Sequence, residues 1–161
     1  MLKPAILYRD ELTEKFAERV YTKGFFYYAG NPYDFDLPEI GTRSNHYQYA
    51  VVDTDKDGEE RVIGYLAYSV IPYADGVCNF GLYSFDEGNT KVIRDVYEEL
   101  EKLIKRYHRV EWRCIGGNHA SHGYDAFCRK HGGNKVVMHD VIKDLDGNYV
   151  DEYIYEIIRK D

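Results

Sequence analysis

Cysteine, long apolar runs and positive charge are all scarce in this sequence. Its three cysteines, Cys78, Cys114 and Cys128, are an odd number among apolar residues, which predicts buried free thiols rather than disulfides. No apolar run approaches the ~20 residues that span a bilayer. The N-terminus lacks the apolar stretch and small-residue cleavage site of a signal peptide. We therefore expect a soluble, cytoplasmic protein with no membrane partner.

The shortage of positive charge argues against a nucleic-acid partner. Lys and Arg number 21 against 28 Asp and Glu, so the net charge is -7. Nucleic-acid binding depends on Lys and Arg neutralising phosphates, and no basic stripe compensates for the deficit. The chain also has only four prolines and no repeat, linker or low-complexity tract. We expect one domain over residues 1–161.

Apolar residues at 44% and charged residues at 30% are a globular balance, and 17 tyrosines are the unusual component. The first part of the chain predicts a strand at residues 5–9 and a helix capped by Asp10. The apolar face of that helix is expected to hold Leu12, Phe16, Val20 and Tyr21. Residues 24–45 predict a long, partly helical loop, which is either an aromatic substrate lid or a packed connector.

The rest of the chain alternates clear strand and helix patterns. Asp-Gly turns at residues 55–58 and 144–147 predict two hairpins. The expected strands are residues 46–54, 60–73, 77–85, 109–115, 134–143 and 148–158. The expected helices are residues 89–107, with apolar residues at helical spacing, and 119–131, which ends at Gly132-Gly133.

This order of elements resembles the GNAT superfamily of N-acyltransferases, closely from about residue 46 onward and more loosely before it. Four segments carry the local likeness: Arg61–Ala67, Gly117–Tyr124, Lys130–Gly133 and Asp146–Tyr153. The resemblance implies an α/β fold with a mixed, mostly antiparallel central sheet flanked by helices. It also implies a central parallel strand pair that splays apart.

The resemblance implies acetyl-CoA as cosubstrate. Its pantetheine arm would pair with the backbone of the strand at residues 77–85. Its pyrophosphate would meet the N-terminus of the helix that starts near Asn89, where N–H groups and the dipole favour an anion. The implied contact residues are Tyr83, Ser84, Phe85, Gly88, Asn89, Thr90, Lys91 and Asn118.

The phosphate loop departs from the family pattern. GNAT members usually place Gly-x-Gly or Gly-x-Ala there, whereas this chain has one glycine, Gly88, preceded by Asp86 and Glu87. A carboxylate beside a phosphate is unfavourable by roughly 1 kcal/mol for each unscreened pair. Either these carboxylates point away or CoA binding is weakened, and they also suit a helix cap together with Asn89.

Acyl transfer to an amine needs a base for the amine proton and an acid for the leaving thiolate. The resemblance makes Tyr124 the candidate acid, because a phenol with a pKa of ~10 stays protonated at neutral pH. The alternative for Tyr124 is packing on a helix face. Asn118 either binds the cofactor arm or only ends its strand. The base stays open among Glu111, Tyr83, His119 and a bound water.

Zinc-ligand residue types also cluster in the sequence, at His119, His122, Cys128 and His131. They fall on one predicted helix that spans ~18 Å at 1.5 Å per residue, so one ion cannot gather them. We expect no metal site here.

These observations predict an N-acetyltransferase that acts on an amine of a small molecule or a protein, as a monomer or homodimer. The acidic balance favours a cationic acceptor. The alternative is a GNAT-fold module that has lost CoA binding and serves in protein interaction, which the substituted phosphate loop favours.

Overall fold

The computed structural model describes residues 1–29 and 36–160. Within these ranges the strands are β1 (Leu2–Pro4), β2 (His46–Thr54), β3 (Glu60–Ile71), β4 (Gly76–Ser84), β5 (Arg109–Ile115), β6 (Asn134–Lys143) and β7 (Tyr149–Ile158). The α-helices are α1 (Arg9–Arg19), α2 (Lys23–Ala29), α3 (Thr90–Arg106) and α4 (Ala120–Lys130).

The described strands form one seven-stranded sheet in the order β1-β2-β3-β4-β5-β7-β6. Every neighbouring pair is antiparallel except β4 and β5, which run parallel. Parallel neighbours need a long crossover connection, and helix α3 supplies it between β4 and β5. The mixed sheet with a central parallel pair confirms the predicted fold class.

The prediction for the N-terminal segment is wrong in its details. The strand lies at Leu2–Pro4 instead of residues 5–9, and Ala5–Tyr8 form a 3-10 helix. Pro4 has no N–H to donate to a further ladder bond, and the chain turns inward to bury Ala5. The backbone of Pro4 is the last to pair with β2.

The first helix begins before its predicted cap. Helix α1 starts at Arg9 after Tyr8, which makes no side-chain capping bond, and Asp10 lies inside the first turn. Asp10 is therefore not the cap, although its charge suits the helix N-terminus. Tyr21, predicted on the buried face, is 80% exposed and lies beyond the end of the helix at Arg19.

Helix α3 confirms the clearest helical pattern in the sequence. Asn89 Oδ1 accepts a hydrogen bond from the Lys91 N–H at 3.0 Å, which caps the first turn. The buried residues of this helix are Val92, Asp95, Val96, Leu100 and Leu103. Both Asp-Gly hairpin turns are also confirmed, with Gly58 and Gly147 in the left-handed region at φ of 85° and 86°.

Helices α3 and α4 cover one face of the sheet, and α1 and α2 cover the other. Under α3 and α4 the largest contact is the stacked pair Trp112 and Tyr155, with ring centroids 5.3 Å apart. Under α1 and α2 the rings of Tyr65 and Tyr83 surround Phe16 at 5.3 and 5.4 Å. Each face of the central strands therefore has its own aromatic core.

The loop predicted over residues 24–45 is only partly described. Its helical part is confirmed as α2, which buries Phe25 and Phe26. Residues 30–35, including Gly30 and Pro32, lie outside the described residues. The choice between a substrate lid and a packed connector therefore stays a hypothesis for that segment.

Among the described helices, none combines the length and apolar character that crossing a bilayer requires. All three cysteines are free thiols. Cys114 and Cys128 are buried as predicted, whereas Cys78 is only half-buried.

Candidate functional site

The parallel strands β4 and β5 separate partway along their length. They pair at Gly76 with Arg109, at Val77 with Val110 and, after one extra residue in β4, at Phe80 with Trp112. The extra residue is a bulge in which Asn79 takes a positive φ of 53°. Beyond Phe80, β4 has no partner on the β5 side among the described residues. The predicted splay between the two strands is therefore present.

The splay leaves backbone groups of β4 unpaired. Phe85 N–H donates to the Ile63 carbonyl in β3 at 2.9 Å. With the register of the two strands, the backbone groups of Phe85, Tyr83 and Gly81 therefore point toward β3. Because backbone groups alternate in direction along a strand, those of Leu82 and Ser84 face the gap. They offer donors and acceptors to an extended amide-containing ligand.

A cleft of about 630 Å³ opens at this gap. Strands β4 and β5 line its floor, and α2, β2 and β3 line the side that faces α1 and α2. Its walls include Tyr27, Tyr28, Glu39, Arg43, His46, Gln48, Tyr65, Asn79, Leu82, Arg113, Cys114, Asn118, Tyr124 and Glu152.

Tyr124 reaches this cleft from helix α4. Its side chain is 7% exposed and packs edge-on against Trp112, with ring centroids 5.9 Å apart. Burial raises the pKa of its phenol, with smaller contributions from Cys114 and Tyr97. Among the described residues, no group forms a hydrogen bond with the Tyr124 hydroxyl. An unpaired, protonated phenol at the wall of a cleft is free to donate to a ligand atom.

Asn118 lies at the same end of the cleft, after β5. Its Oδ1 accepts a hydrogen bond from the Ala120 N–H at 3.0 Å at the start of α4. Its amide nitrogen has no partner within the described part of the chain. Both interpretations of Asn118 are thus compatible, since one side-chain atom supports the strand-to-helix turn and the other is available.

The loop before α3 carries the residues predicted to meet phosphates. Gly88 has a φ of 81°, and a Cβ there would find no atom within 4 Å. Asn89 N–H donates to the Asp86 carbonyl at 3.1 Å. Among the described residues, the N–H groups of Gly88 and Thr90 have no hydrogen-bond partner. These two donors lie at a helix N-terminus, where an anion is favoured.

One of the two acidic residues of this loop, Asp86, is neutralised by a neighbouring arginine. Asp86 accepts hydrogen bonds from Arg61 at 3.0 Å and from the Asn89 amide at 2.9 Å. Lys91 pairs with Asp53, and this hydrogen bond lowers the pKa of Asp53. Glu87 is exposed. The charge of Asp86 is therefore neutralised by Arg61. Lys91 could bind a phosphate only after leaving Asp53.

Tyr83 and Phe85 lie apart from the cleft. The Tyr83 side chain is 7% exposed inside the aromatic core under α1 and α2, and its backbone pairs with β3. The Phe85 ring packs on Phe16 at 5.0 Å. Ser84 Oγ donates to the Asp86 carbonyl at 2.9 Å, so this side chain supports the loop while its backbone faces the gap.

The residues considered as a base do not line the cleft either. Glu111 pairs with Arg109 at 2.7 Å outside it, and His119 is exposed at the start of α4. The carboxylates that do line it are Glu39 and Glu152, which pair with Arg43 and Arg113. Sequence reasoning missed these four residues, whose only signal is opposite charge on segments that the fold brings together.

Polar aromatic groups line the wall on the side of α2. Gln48 donates to the Tyr65 hydroxyl at 2.7 Å, and burial raises the pKa of Tyr65 to about 12. Burial also raises the pKa of Tyr28, whose ring lies 6.3 Å from that of Tyr65. These hydroxyls stay neutral across the physiological range and act as hydrogen-bonding groups.

No cluster of three or more His, Cys, Asp or Glu side chains in the described ranges could hold a metal ion. His131, one of the residues weighed as a zinc ligand, lies 2.9 Å from a Glu101 oxygen. Its ring also packs on Phe127 at 4.5 Å.

Comparison with solved structures identifies the fold. A GNAT-family N-acetyltransferase from Kribbella flavida matches 99% of this chain and 97% of its own, with a TM-score of 0.67 and 14% identity. An N-acetyltransferase from Staphylococcus aureus matches 99% and 98%, with a TM-score of 0.66 and 12% identity. A probable GNAT acetyltransferase from Chromobacterium violaceum matches 98% and 81%, with a TM-score of 0.61 and 17% identity.

No family model and no curated protein sequence matches the chain. The identities to the solved structures are low enough that the likeness concerns the fold. The chain has the GNAT N-acetyltransferase fold, as its sequence pattern indicates.

Proposed function

We propose that this chain is an N-acyltransferase that transfers an acetyl group from acetyl-CoA to an amine of a small molecule or protein. One observation carries the proposal: the gap between β4 and β5 opens into a cleft where the Tyr124 hydroxyl is unpaired. The solved proteins with this fold that were compared above are acetyltransferases, which supports the same class of chemistry.

The residues present fit acetyl-CoA. The backbone groups of Leu82 and Ser84 would pair with the amides of the pantetheine arm, and Asn118 would add its amide nitrogen. The N–H groups of Gly88 and Thr90 at the start of α3 would hold the pyrophosphate. The pairing of Asp86 with Arg61 supports this fit, because one of the two carboxylates of this loop is already neutralised.

When bound, acetyl-CoA supplies a thioester whose acyl carbon is open to attack. Transfer forms a C–N bond at the acceptor nitrogen and breaks the C–S bond, while one proton leaves nitrogen and one reaches sulfur. Tyr124 would donate the proton to sulfur, and its phenol would then regain a proton from solvent. Glu152, which lines the cleft and is 21% exposed, would accept the amine proton.

We also propose the partners, the location and the oligomeric state of the protein. With a net charge of -7, we propose no nucleic-acid partner, and we place the reaction in the cytoplasm. A monomer and a homodimer both remain compatible with a cleft whose lining residues come from one chain.

Isothermal titration with acetyl-CoA tests the proposal. We expect a micromolar Kd that Gly88→Val weakens by about tenfold or more, because a branched side chain would crowd the N–H groups of this loop. Gly58→Val is the matched control: Gly58 has a similar φ of 85° and equally open surroundings, in the turn between β2 and β3. It should leave the Kd unchanged.

Two outcomes would argue against the proposal. Absence of binding at millimolar acetyl-CoA would favour the alternative, a GNAT-fold interaction module without cofactor. Equal affinity of the wild type and Gly88→Val would indicate that the pyrophosphate does not bind at the loop before α3.

A further inference from the structure

The arginine nearest the gap is weakly held. Arg113 is the first residue of β5 beyond Trp112, the last residue that pairs with β4. A single nitrogen, Nη1, contacts the two Glu152 oxygens, each at 3.3 Å. Within the described ranges its Nε and Nη2 have no partner, and its side chain is 57% exposed. Most of the guanidinium donors are therefore available to a ligand.

Arg109, four residues earlier on β5, is held more firmly because it donates to two carboxylates. Its Nε donates to Glu156 and its Nη2 to Glu111, both at 2.7 Å. Arg109 does not line the cleft, whereas Arg113 does. An exposed pair at 3.3 Å contributes little to stability, so the cost of opening the Arg113 pair to a ligand is small.

The cleft presents both charge signs. Arg113 and Arg43 are its described cations, and Glu152 and Glu39 are its described carboxylates. His46 adds no charge at neutral pH, because burial and the nearby Arg43 lower its pKa. The cleft is therefore electrically balanced, unlike the acidic chain as a whole.

We propose that the acceptor is a small amino acid, bound as a zwitterion with its carboxylate on Arg113 and its ammonium group on Glu152. The inference rests on the proposed function and names its substrate class. A guanidinium fork suits a carboxylate, because two parallel N–H donors meet its two oxygens. The incoming zwitterion satisfies both members of the existing ion pair, so neither charge is left without a partner.

The position of Arg113 limits the distance between the two groups of the acceptor. The reacting nitrogen must reach the gap between β4 and β5, and Arg113 stands at the edge of that gap. The acceptor carboxylate must then lie within a few bonds of the amine, as in an α-amino acid. Polyamines gain nothing from Arg113, because they lack a carboxylate for its guanidinium to bind.

The test compares free L-amino acids with their α-amides, which keep the amine and lose the carboxylate. Thiol release from acetyl-CoA gives kcat and KM. Titration of the best amino acid into protein saturated with CoA gives its Kd without turnover. We expect the free acid to exceed its amide by about tenfold or more in kcat/KM, since charged hydrogen bonds dominate the recognition.

Variants then assign the preference to its residue. Arg113→Gln should raise both KM and Kd for the amino acid by about tenfold or more and should affect the amide much less. Arg109→Gln, the matched loss of an arginine on the same strand, should change neither substrate. Arg113→Lys should restore part of the preference, because it returns the charge without the fork.

Amides that react as well as the free acids would overturn the proposal, as would equal effects of Arg113→Gln on both substrates. In either case acetylation of some amine would leave the proposed function standing. Failure to bind acetyl-CoA would instead contradict the proposed function itself.

Discussion

Replacing Tyr124 by Phe isolates the proton that the proposed mechanism assigns to this residue. The substitution removes one oxygen atom and keeps the ring, which contacts Trp112, Tyr155 and Tyr97 at centroid distances of 5.9, 5.8 and 6.3 Å. The hydroxyl has no hydrogen-bond partner among the described residues. Its loss should therefore change the free energy of unfolding by less than about 1 kcal/mol.

The expected effect on catalysis is much larger. A positioned general acid contributes at least about 100-fold, so kcat should fall by about that factor, or roughly 2.7 kcal/mol of barrier. Binding of acetyl-CoA should stay within about twofold, because the pyrophosphate and the pantetheine arm are assigned to backbone groups elsewhere. A fall in kcat at constant Kd is the signature of a proton donor.

The pH profile supplies a second readout. Burial raises the pKa of Tyr124 above its ordinary value, so the phenol keeps its proton as the pH rises to about 9. Wild-type activity should show no alkaline decline from this group below that pH. Thiol release measured from pH 6 to about 9, with Tyr124→Phe beside the wild type, gives both profiles.

Tyr97→Phe is the matched control. Tyr97 packs against the same ring and has a pKa that burial raises to about 12, but it does not line the cleft. It should retain wild-type kcat. A Tyr124→Phe protein with unchanged kcat and with thiol release still limited by chemistry would refute the assignment. Equal losses in both variants would point to packing.

Three further predictions concern stability and reactivity. Gly133→Ala should cost about 2–3 kcal/mol in urea denaturation, since its Cβ would lie 2.6 Å from the Glu156 carbonyl oxygen. Gly41→Ala, with no atom within 4 Å, should stay within about 0.5 kcal/mol. Burial raises the pKa of the Cys114 thiol to about 12, which leaves very little reactive thiolate at pH 8. Iodoacetamide at pH 8 should therefore label Cys114 at least about 100-fold more slowly in the native protein than in the urea-unfolded protein, as measured by mass spectrometry. Burial lowers the pKa of His46, so protonation of this residue favours the unfolded state. His46→Gln should therefore reduce the loss of stability between pH 7 and about 5, as measured by denaturation at both pH values.

The sequence pattern was sufficient for most of the secondary structure. Periodic apolar residues with an Asn cap identified α3, and Asp-Gly turns identified both hairpins, because these signals act over a few neighbouring residues. The pattern was insufficient at the N-terminus. There Pro4 and the burial of Ala5 decide where the strand ends, and alternation alone did not reveal it.

The sequence likewise identified some residues of the candidate site and misjudged others. Tyr124 and Asn118 were found from a local motif that resembles a known family, and Gly88 and Thr90 from their place at the start of α3. The roles of all four stay predictions. Tyr83 shows the limit of that approach, because its position in β4 looked suitable while its side chain packs on the opposite face from α3 and α4.

Sequence by itself determined the order of elements and therefore the GNAT fold, since each element is specified by its own periodicity, caps and turns. Tertiary structure alone decided where β4 leaves β5, that Asp86 meets Arg61, and that Arg113 and Glu152 share a cleft. These features depend on pairs of residues 25 to 39 positions apart, and such contacts exist only once the sheet has set the register of its strands.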